Sequence, residues 1–289
     1  MKVLLTGSHG QVGRELVGSA PASARVVACS RAELDICDAT AVMNWCADVR
    51  PDVIINASAY TAVDKAESDS EAARRGNAEG PRNLALAARE HGARLLHIST
   101  DFVFDGAANT PYAPDAATNP LNVYGATKLQ GEEAIRAVLP ENSLVLRTAW
   151  VYSRNGANFV RTMLRLMGDG KTVRVIADQI GTPTSARSLA DVLWKIAPRA
   201  DLNGVHHWTD AGVATWYDFA VAIAEEGAAC GVLPAVAQVV PITTADYPTP
   251  ARRPAFSVLD KRSTLEALHL TSVHWRAQLR LVLREMVNA

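Results

Sequence analysis

Short apolar runs alternate with amphipathic segments through the first half of the chain. Runs rich in valine, leucine and isoleucine predict buried parallel strands, and they lie at residues 2–5, 25–30, 53–56, 95–99 and 144–147. The segments between them carry apolar side chains at helical spacing, which predicts a helix after each strand. Such alternation is typical of a parallel sheet with helices on both faces. The pattern therefore predicts an α/β fold.

The pattern changes in two places. Residues 70–90 predict one long helix, in which Pro81 marks a kink or a helix start. Beyond residue 150 the strict alternation is lost. Further strands are predicted at residues 173–176, 204–208 and 237–240, and further helices at 158–168, 187–196, 216–226 and 274–287. Pro241 is expected to end the last of these strands.

A glycine-rich loop follows the first predicted strand. Residues 6–13 read TGSHGQVG, with glycines at Gly7, Gly10 and Gly13. Such glycines let the backbone turn tightly and approach a pyrophosphate, which the N-terminus of the next helix faces. The spacing differs from the commoner G-x-G-x-x-G, but the strand before it and the helix after it indicate a dinucleotide site.

The glycine loop and the change of pattern together predict the domain organisation. We expect a Rossmann-type, doubly wound parallel sheet in residues 1–150, which bind NAD(P). Residues 151–289 are expected to form mainly a smaller C-terminal substrate-binding lobe. The two parts are interleaved, and residues of about 157–200 partly return to the first domain.

The end of the second predicted strand carries Ser30 and Arg31. At this position an acidic residue holds the 2′-hydroxyl of NAD, whereas an arginine accepts the 2′-phosphate of NADP. The residues present favour NADPH, with NADH as the alternative, although a lone arginine at a strand end is often only solvated. Asp35, farther along, either meets the adenine amino group or caps a turn.

Tyr124 and Lys128 are the strongest candidates for chemistry. In a helix, residues four apart lie one turn above each other, so the Lys128 ammonium is expected about 6 Å from the Tyr124 ring. A nearby cation lowers the pKa of a phenol and suits it to acid–base work. Such a pair also occurs by chance in surface helices. Thr100, at the end of the fourth strand, either hydrogen-bonds a substrate carbonyl or caps a turn.

Composition argues against several classes of protein. A net charge of −1 gives no field for nucleic acid or an anionic membrane. Hydrophobic residues make up 48% of the chain, enough for a sizeable core. The four cysteines lack C-x-x-C spacing, which predicts neither a disulfide framework nor a zinc site. With no signal peptide and no apolar run of membrane-spanning length, we predict a cytoplasmic protein.

Several stretches together carry a family resemblance. Besides the glycine loop they are AYTAVDKAE at 59–67, STDFVFDG at 99–106, YGATK at 124–128, RTAWVY at 147–152, and Arg253-Pro254 with Ser257. The set resembles the dTDP-4-dehydrorhamnose reductases, which are extended short-chain dehydrogenase/reductases. The resemblance spans nearly the whole chain.

The resemblance implies NADPH- or NADH-dependent reduction of the 4-keto group of dTDP-4-dehydro-L-rhamnose, the last step in making dTDP-L-rhamnose. It implies that Tyr124 donates a proton, that Lys128 holds the nicotinamide ribose and depresses the tyrosine pKa, and that Thr100 orients the carbonyl. The expected substrate contacts are Thr100, Asp101, Tyr124, Trp150 and Arg253. The expected cofactor contacts are Gly7, His9, Gly10, Gln11, Val12, Ser30, Arg31, Asp35, Ile36, Ala57, Ala59, Tyr60 and Lys128.

One position departs from the family. Some members are metal-linked dimers that use three glutamates; Glu15 and Glu285 match two of them, whereas Arg187 stands at the third. An arginine repels a cation. We therefore predict no metal site and no requirement for magnesium. The chain is expected to be a monomer or weak homodimer, and its expected ligand is a small nucleotide sugar.

Two other functions stay open. One is a reductase or epimerase acting on another nucleotide deoxysugar, because loop residues decide the sugar. The other is a non-catalytic, NADP-binding regulatory subunit, because proteins with this fold include the regulatory β subunit of methionine adenosyltransferase. The presence of Thr100, Tyr124 and Lys128 argues against the second, since that role does not require them.

Overall fold

The computed structural model describes residues 1–287. The strands are β1 (Lys2–Thr6), β2 (Arg25–Cys29), β3 (Val53–Asn56), β4 (Arg94–Thr100), β5 (Ser143–Thr148), β6 (Val151–Tyr152), β7 (Val173–Ile176), β8 (Ile180–Gly181), β9 (Thr184–Ser185), β10 (Gly204–His207), β11 (Ala214–Thr215) and β12 (Val239–Ile242). The helices are α1 (Gln11–Gly18), α2 (Ala39–Val49), α3 (Val63–Ala66), α4 (Ser70–Arg74), α5 (Gly80–His91), α6 (Val123–Val138), α7 (Phe159–Gly168), α8 (Ala186–Ile196), α9 (Trp216–Ala229), α10 (Arg262–Leu268) and α11 (Trp275–Val287).

The main sheet has six strands in the order β2-β1-β3-β4-β5-β10, and every neighbouring pair is parallel. Strands β3 and β5 are buried at every position, as expected where helices cover both faces. The strand order reverses between β1 and β3, and the carboxyl ends of strands at such a point form the ligand crevice. These observations confirm the predicted α/β fold with a Rossmann-type, doubly wound sheet.

Helices cover both faces of this sheet. On one face, α1 and α8 bring Leu16 and Leu189 against the apolar side chains of the strands. On the other, α2 and α5 contribute Val42 and Leu84. All four side chains are fully buried, and burial of each stabilises the fold by roughly 2 kcal/mol. The carboxyl edge of the sheet is left open between these layers.

A second apolar core lies in the later part of the chain. Helices α7, α9 and α11 build it with β7, through the buried side chains of Met163, Val173, Phe219 and Leu279. Two later elements lie elsewhere, because α8 packs on the main sheet and β10 is its sixth strand. The chain therefore returns to the main sheet after residue 150, while the limits of the two lobes stay a prediction.

The predicted helix over residues 70–90 is continuous but not uniform. A π-helical segment, Arg75–Glu79, joins α4 to α5, and Pro81 lies in the first turn of α5. The segment carries Asn77, whose side chain accepts the Tyr60 N–H at 2.8 Å and donates to Thr127 Oγ1 at 3.2 Å. Apolar spacing alone did not predict this wider turn.

The prediction that Pro241 ends a strand is wrong. Strand β12 continues through Pro241 beside β7. Val173 and Ala177 donate their N–H groups to the carbonyls of Gln238 and Ile242, so the even-numbered residues of β12 face β7. The proline nitrogen therefore faces the free edge, where no ladder hydrogen bond is lost.

Two further observations concern cysteines and membranes. All four cysteines are free thiols. Within residues 1–287, no helix combines the length and apolar character needed to cross a bilayer.

Candidate active site

Two adjoining cavities lie at the carboxyl edge of the main sheet. The first, of about 500 Å³, lies beside the glycine loop and the segment after β2. The second, of about 620 Å³, runs from the same loop past β4 and α6 to Trp150 and Arg253. His9 and Gly10 line both cavities. Their sizes suit a dinucleotide and a second small ligand.

The glycine loop is shaped by close backbone contacts. Gly7 has φ +74°, a left-handed conformation that favours glycine. A Cβ at Gly13 would lie 2.1 Å from the Gly7 carbonyl oxygen, so only glycine lets α1 start directly against the loop. Gly10 is the N-cap of α1. The N–H groups at this helix end suit a phosphate.

The first cavity ends at the segment after β2. Arg31 and Asp35 line it, whereas Ser30 does not. The N–H and Oγ of Ser30 both donate to Glu33 Oε2, at 2.8 and 2.7 Å. Asp35 Oδ1 accepts the Cys37 N–H at 3.0 Å and so caps a turn. The Arg31 side chain is 86% exposed and 3.8 Å from Asp35, which leaves its guanidinium accessible at the cavity mouth.

Thr100, Tyr124 and Lys128 meet in the second cavity. Thr100 ends β4, and the other two lie one turn apart in α6. The Thr100 side chain lies close enough to that of Tyr124 to affect its ionisation. The close approach of α6 requires Gly125, because a Cβ there would lie 2.1 Å from the Phe102 carbonyl oxygen.

The pKa of Tyr124 differs from the expectation. Burial raises it to about 12; the neighbouring Thr100 hydroxyl opposes this shift, and the charge of Asp101 adds to it. We expected Lys128 to lower this pKa, and it does not. Helical spacing puts both residues on one face of α6, and the hydrogen bonds of the lysine are made with β4.

The Lys128 side chain is directed at β4. Its Nζ donates to the Ile98 carbonyl at 2.7 Å and lies 3.1 Å from His97 Nε2. Burial lowers the pKa of Lys128 to about 8. Glu132, one turn farther along α6, is paired with Arg147 at 2.7 Å in a fully buried contact. The carboxylate nearest to the lysine along the helix is therefore already bound.

Asp101 lies buried behind Thr100. Thr100 Oγ1 donates to Asp101 Oδ1 at 3.1 Å. Within the described residues, Oδ2 has no hydrogen-bond partner. Burial raises the pKa of Asp101 to about 6, against the effect of the Ser257 and Thr100 hydroxyls.

Trp150 forms one wall of the second cavity. It has φ +48°, which is unusual for a bulky residue. Its ring stacks on Trp216, with centroids 3.6 Å apart and planes 6° from parallel. A Cβ at Gly181 would lie 2.6 Å from the indole. The indole is thus fixed from two sides.

Arg253 reaches the second cavity from the loop before α10. Its Nη1 and Nη2 donate to the two oxygens of Asp64 at 3.0 and 2.8 Å, and Nη1 donates to Thr249 Oγ1 at 2.7 Å. The Arg253 guanidinium is therefore paired with a carboxylate of the protein itself.

The architecture agrees with comparisons to known proteins. A family model described as the RmlD substrate binding domain matches residues 1–288. The chain belongs to this family. It is 43% identical to a dTDP-4-dehydrorhamnose reductase of Burkholderia thailandensis, with 100% of both chains covered. It is 44% identical to a probable dTDP-4,6-dihydroxy-2-methyloxan-3-one 4-ketoreductase of Streptomyces antibioticus, covering 90% of this chain and 86% of that one. The crystal structure of a Bacillus anthracis dTDP-4-dehydrorhamnose reductase with NADP has a TM-score of 0.92 at 32% identity, covering 98% of this chain and 99% of that one.

In this RmlD-family chain, every predicted site residue except Ser30 lines one of the two cavities. Their contacts with ligands stay a prediction. The sequence analysis missed the buried polar side chains behind the cavity, chiefly Asn56, His97 and Glu132. A signal was present: His97 interrupts an apolar strand, and Glu132 lies one helical turn after Lys128.

Two of the three positions compared with the family's metal-binding glutamates, Arg187 and Glu285, form an ion pair. Arg187 Nη1 lies 2.7 Å from Glu285 Oε1, and Arg154 lies 4.0 Å from the other oxygen. Burial raises the pKa of Glu15, which accepts from Asn155 Nδ2 at 3.4 Å. Over residues 1–287, no group of three or more histidine, cysteine, aspartate or glutamate side chains could hold a metal ion.

Proposed function

We propose that this chain reduces the 4-keto group of dTDP-4-dehydro-L-rhamnose with NADPH and yields dTDP-L-rhamnose. The observation that carries the proposal is the meeting of Thr100, Tyr124 and Lys128 in one cavity beside the glycine loop. The names of the B. thailandensis and B. anthracis proteins support this substrate, and the NADP in the latter supports this cofactor.

The residues around the glycine loop and the first cavity fit a dinucleotide. The N-terminus of α1, with Gly10, Gln11 and Val12, suits the pyrophosphate, and the accessible guanidinium of Arg31 suits a 2′-phosphate. Gly7 and His9, then Asp35 and Ile36, and Ala57, Ala59 and Tyr60 complete the predicted cofactor walls. When bound, the nicotinamide supplies the hydride for the carbonyl carbon.

The residues of the second cavity supply the proton and the orientation. With a pKa of about 12, Tyr124 keeps its proton at neutral pH and can donate it to the carbonyl oxygen. Thr100, which lines the same cavity, orients that oxygen. Lys128 holds the nicotinamide ribose, Trp150 forms a wall for the sugar, and Arg253 is placed for an anionic group of the substrate, with Asp101 behind Thr100.

The test is oxidation of NADPH by the purified chain when it is offered dTDP-4-dehydrorhamnose generated in situ. We expect rapid oxidation, and a product that co-elutes with dTDP-L-rhamnose. Tight NADPH binding without turnover of this sugar would overturn the proposed substrate. The same assay with NADH gives the cofactor preference.

A second substrate is favoured by one specific observation. The S. antibioticus relative, at 44% identity, is named for a 4-ketoreductase acting on a different dTDP-sugar. Tyr124 can donate a proton to either sugar, so the loops that carry Trp150 and Arg253 must discriminate between the two substrates. Turnover of that keto sugar at a higher kcat/KM than dTDP-4-dehydrorhamnose would establish this alternative. A non-catalytic regulatory role would be established by NADPH binding with no turnover of either sugar.

We also propose that the chain works without magnesium, as a monomer or weak homodimer located in the cytoplasm. The Arg187–Glu285 ion pair supports this, since an arginine occupies the position of a metal-binding glutamate. Sedimentation and activity with magnesium and with EDTA are the test. A dimer that dissociates and loses activity in EDTA would overturn it.

A further inference from the structure

The loop before α10 is tied to the rest of the protein at three points. Asp64, in α3, accepts hydrogen bonds from the Arg253 guanidinium and, through Oδ1, from the Ala251 N–H at 3.2 Å. Asn122, the N-cap of α6, donates from Nδ2 to the Arg252 carbonyl at 2.7 Å. The loop is therefore fixed against α3 and against the start of α6.

The start of α6 is also joined to α3. Glu67, which directly follows α3, accepts the Val123 N–H through Oε1 at 2.8 Å. Asn122 Oδ1 accepts the Gly125 N–H at 2.8 Å, so the residue that holds the loop also caps α6. The position of Asp64 is thus set relative to the helix that carries Tyr124.

The guanidinium of Arg253 is only partly used by these contacts. An arginine has five N–H donors, and either of two nitrogen pairs, Nη1 with Nη2 or Nε with Nη2, can hold an anion as a fork. Asp64 occupies the first pair, since Nη1 donates to Oδ1 at 3.0 Å and Nη2 donates to Oδ2 at 2.8 Å. Nη1 also donates to the Thr249 hydroxyl and the Ala251 carbonyl. Both hydrogens of Nη1 are therefore used.

The second fork of Arg253 is not used within residues 1–287. There, Nε makes no hydrogen bond, and Nη2 makes only the one with Asp64. The Arg253 side chain is 22% exposed and lines the second cavity. Two oxygens of a phosphate group fit the Nε–Nη2 edge of an arginine. A phosphate bound at this edge would leave the Asp64 contact in place.

The charges of the second cavity favour Arg253 as its phosphate-binding group. Among the described residues that line this cavity, Arg253 and Lys128 are the arginine and lysine side chains. The Lys128 Nζ is already bound to the Ile98 carbonyl. Hydrogen bonds from Arg253 lower the pKa of Asp64, so Asp64 is charged at neutral pH and keeps hold of the guanidinium.

We propose that Asp64 is a positioning residue for substrate binding: it holds Arg253 by one fork and presents the other to the diphosphate of the nucleotide sugar. The guanidinium is then ordered before the substrate arrives, so less side-chain entropy is lost on binding. The identity of this ligand rests on the proposed function. If Asp64 instead competed with the diphosphate for Arg253, removal of its carboxylate would have the opposite effect on affinity.

Isothermal titration calorimetry with dTDP, on the full chain in the presence of NADP, tests the proposal. We expect Arg253→Ala to weaken dTDP binding about 10- to 100-fold, because a charge-assisted contact is lost. Asp64→Ala should weaken it about tenfold, because the guanidinium is no longer ordered. Unchanged or tighter binding in Asp64→Ala overturns the proposal, and so does a wild-type chain that does not bind dTDP.

A double variant separates positioning from a general disturbance of the loop. If Asp64 acts through Arg253, then Asp64→Ala combined with Arg253→Ala should bind dTDP as Arg253→Ala does alone. If the loss of Asp64 merely disordered the loop, the two effects would add, and additive effects overturn the proposal. Asp64→Asn keeps an oxygen for the Ala251 N–H but cannot fill the Arg253 fork. It should therefore bind dTDP about as weakly as Asp64→Ala, and wild-type affinity in Asp64→Asn contradicts the proposal.

Steady-state kinetics of the reduction give the functional readout. In Asp64→Ala, we expect KM for the keto sugar nucleotide to rise about tenfold and kcat to change by less than about threefold, because the diphosphate contact is made equally before and during the reaction. Glu71→Ala, at an exposed position of α4, is the matched control and should leave dTDP affinity and both constants near wild type. A lower kcat at unchanged KM overturns the proposal. The calorimetry needs no turnover, so it separates failure of this inference from failure of the proposed reaction.

Discussion

The two halves of the cleft are built by different means. In the first cavity, the backbone of the glycine loop and exposed side chains such as Arg31 form the walls. In and behind the second cavity lie buried polar groups that are already paired with neighbouring groups, including Lys128, His97 and Glu132. Backbone and solvated side chains suit recognition, whereas chemistry requires groups held in place before the ligand arrives. Changes in the second half should therefore affect rate and stability, and changes in the first half should affect affinity.

The comparison is sharpened most by Tyr124→Phe. We expect a loss of about 10²- to 10⁴-fold in kcat, because the proton donor is removed, with little change in the Kd for NADPH. Stopped-flow NADPH oxidation and fluorescence titration measure the two quantities. Tyr247→Phe, at an exposed tyrosine, is the control. Retained turnover in Tyr124→Phe would remove this residue from the acid role.

Glu132→Ala tests the stability of the buried half. It leaves the Arg147 guanidinium without its partner in a site that is at most 3% exposed, and such a loss costs about 3–5 kcal/mol. Urea unfolding gives the change in free energy. The neighbouring Glu133 is exposed, so Glu133→Ala should change stability by less than about 0.5 kcal/mol. Equal effects of the two variants would contradict the difference that we draw between buried and solvated charge.

Asp101→Asn tests the half of the cleft around the second cavity through the pH dependence of stability. Burial raises the pKa of Asp101 from 3.8 to about 6, so its stabilising contribution is full below pH 3.8 and is lost as the pH rises through 6. The variant lacks this dependence. Relative to the wild type, we expect its free energy of unfolding to gain roughly 2–3 kcal/mol between pH 4 and pH 8. Urea unfolding at both pH values measures this, with the exposed Asp48→Asn as control. A difference independent of pH would show that folding does not raise the pKa of Asp101.

Gly13→Ala tests the half built from backbone. The new methyl group meets the Gly7 carbonyl, so we expect a loss of about 1–3 kcal/mol of stability and at least about tenfold weaker NADPH binding. At Gly18, in the same helix, a Cβ meets nothing within 4 Å, and Gly18→Ala should leave both quantities near wild type. Calorimetry and cofactor titration compare them. Unchanged NADPH binding in Gly13→Ala would show that the glycine loop does not contribute to cofactor affinity.

Arg31→Ala is expected to have the smallest effect. The side chain is mostly exposed, so its contact with a 2′-phosphate should contribute about 1 kcal/mol, or somewhat under tenfold in the NADPH-to-NADH ratio of kcat/KM. Arg25→Ala, at the opposite end of β2, is the control. A ratio that does not change in Arg31→Ala would move the choice of cofactor to another residue.

The sequence predicted the first half of the cleft better than the second. Glycine spacing after a strand is a local signal, so residues 6–13 were assigned from the chain alone. The direction of the Lys128 side chain was not predicted, because it depends on His97 and Ile98, which lie in β4. The pairing of Arg253 with Asp64 was not predicted either, because the two residues lie 189 positions apart. Pairing over such distances has no local pattern.

The free edge of β12 affects how copies of the chain can meet. Exposed strands attract further strands through unpaired N–H groups, which leads to aggregation. At the centre of this edge, Pro241 presents a ring in place of a donor. A second strand could not form a complete ladder there. The residue that we expected to end the strand instead protects the two-stranded sheet from growing.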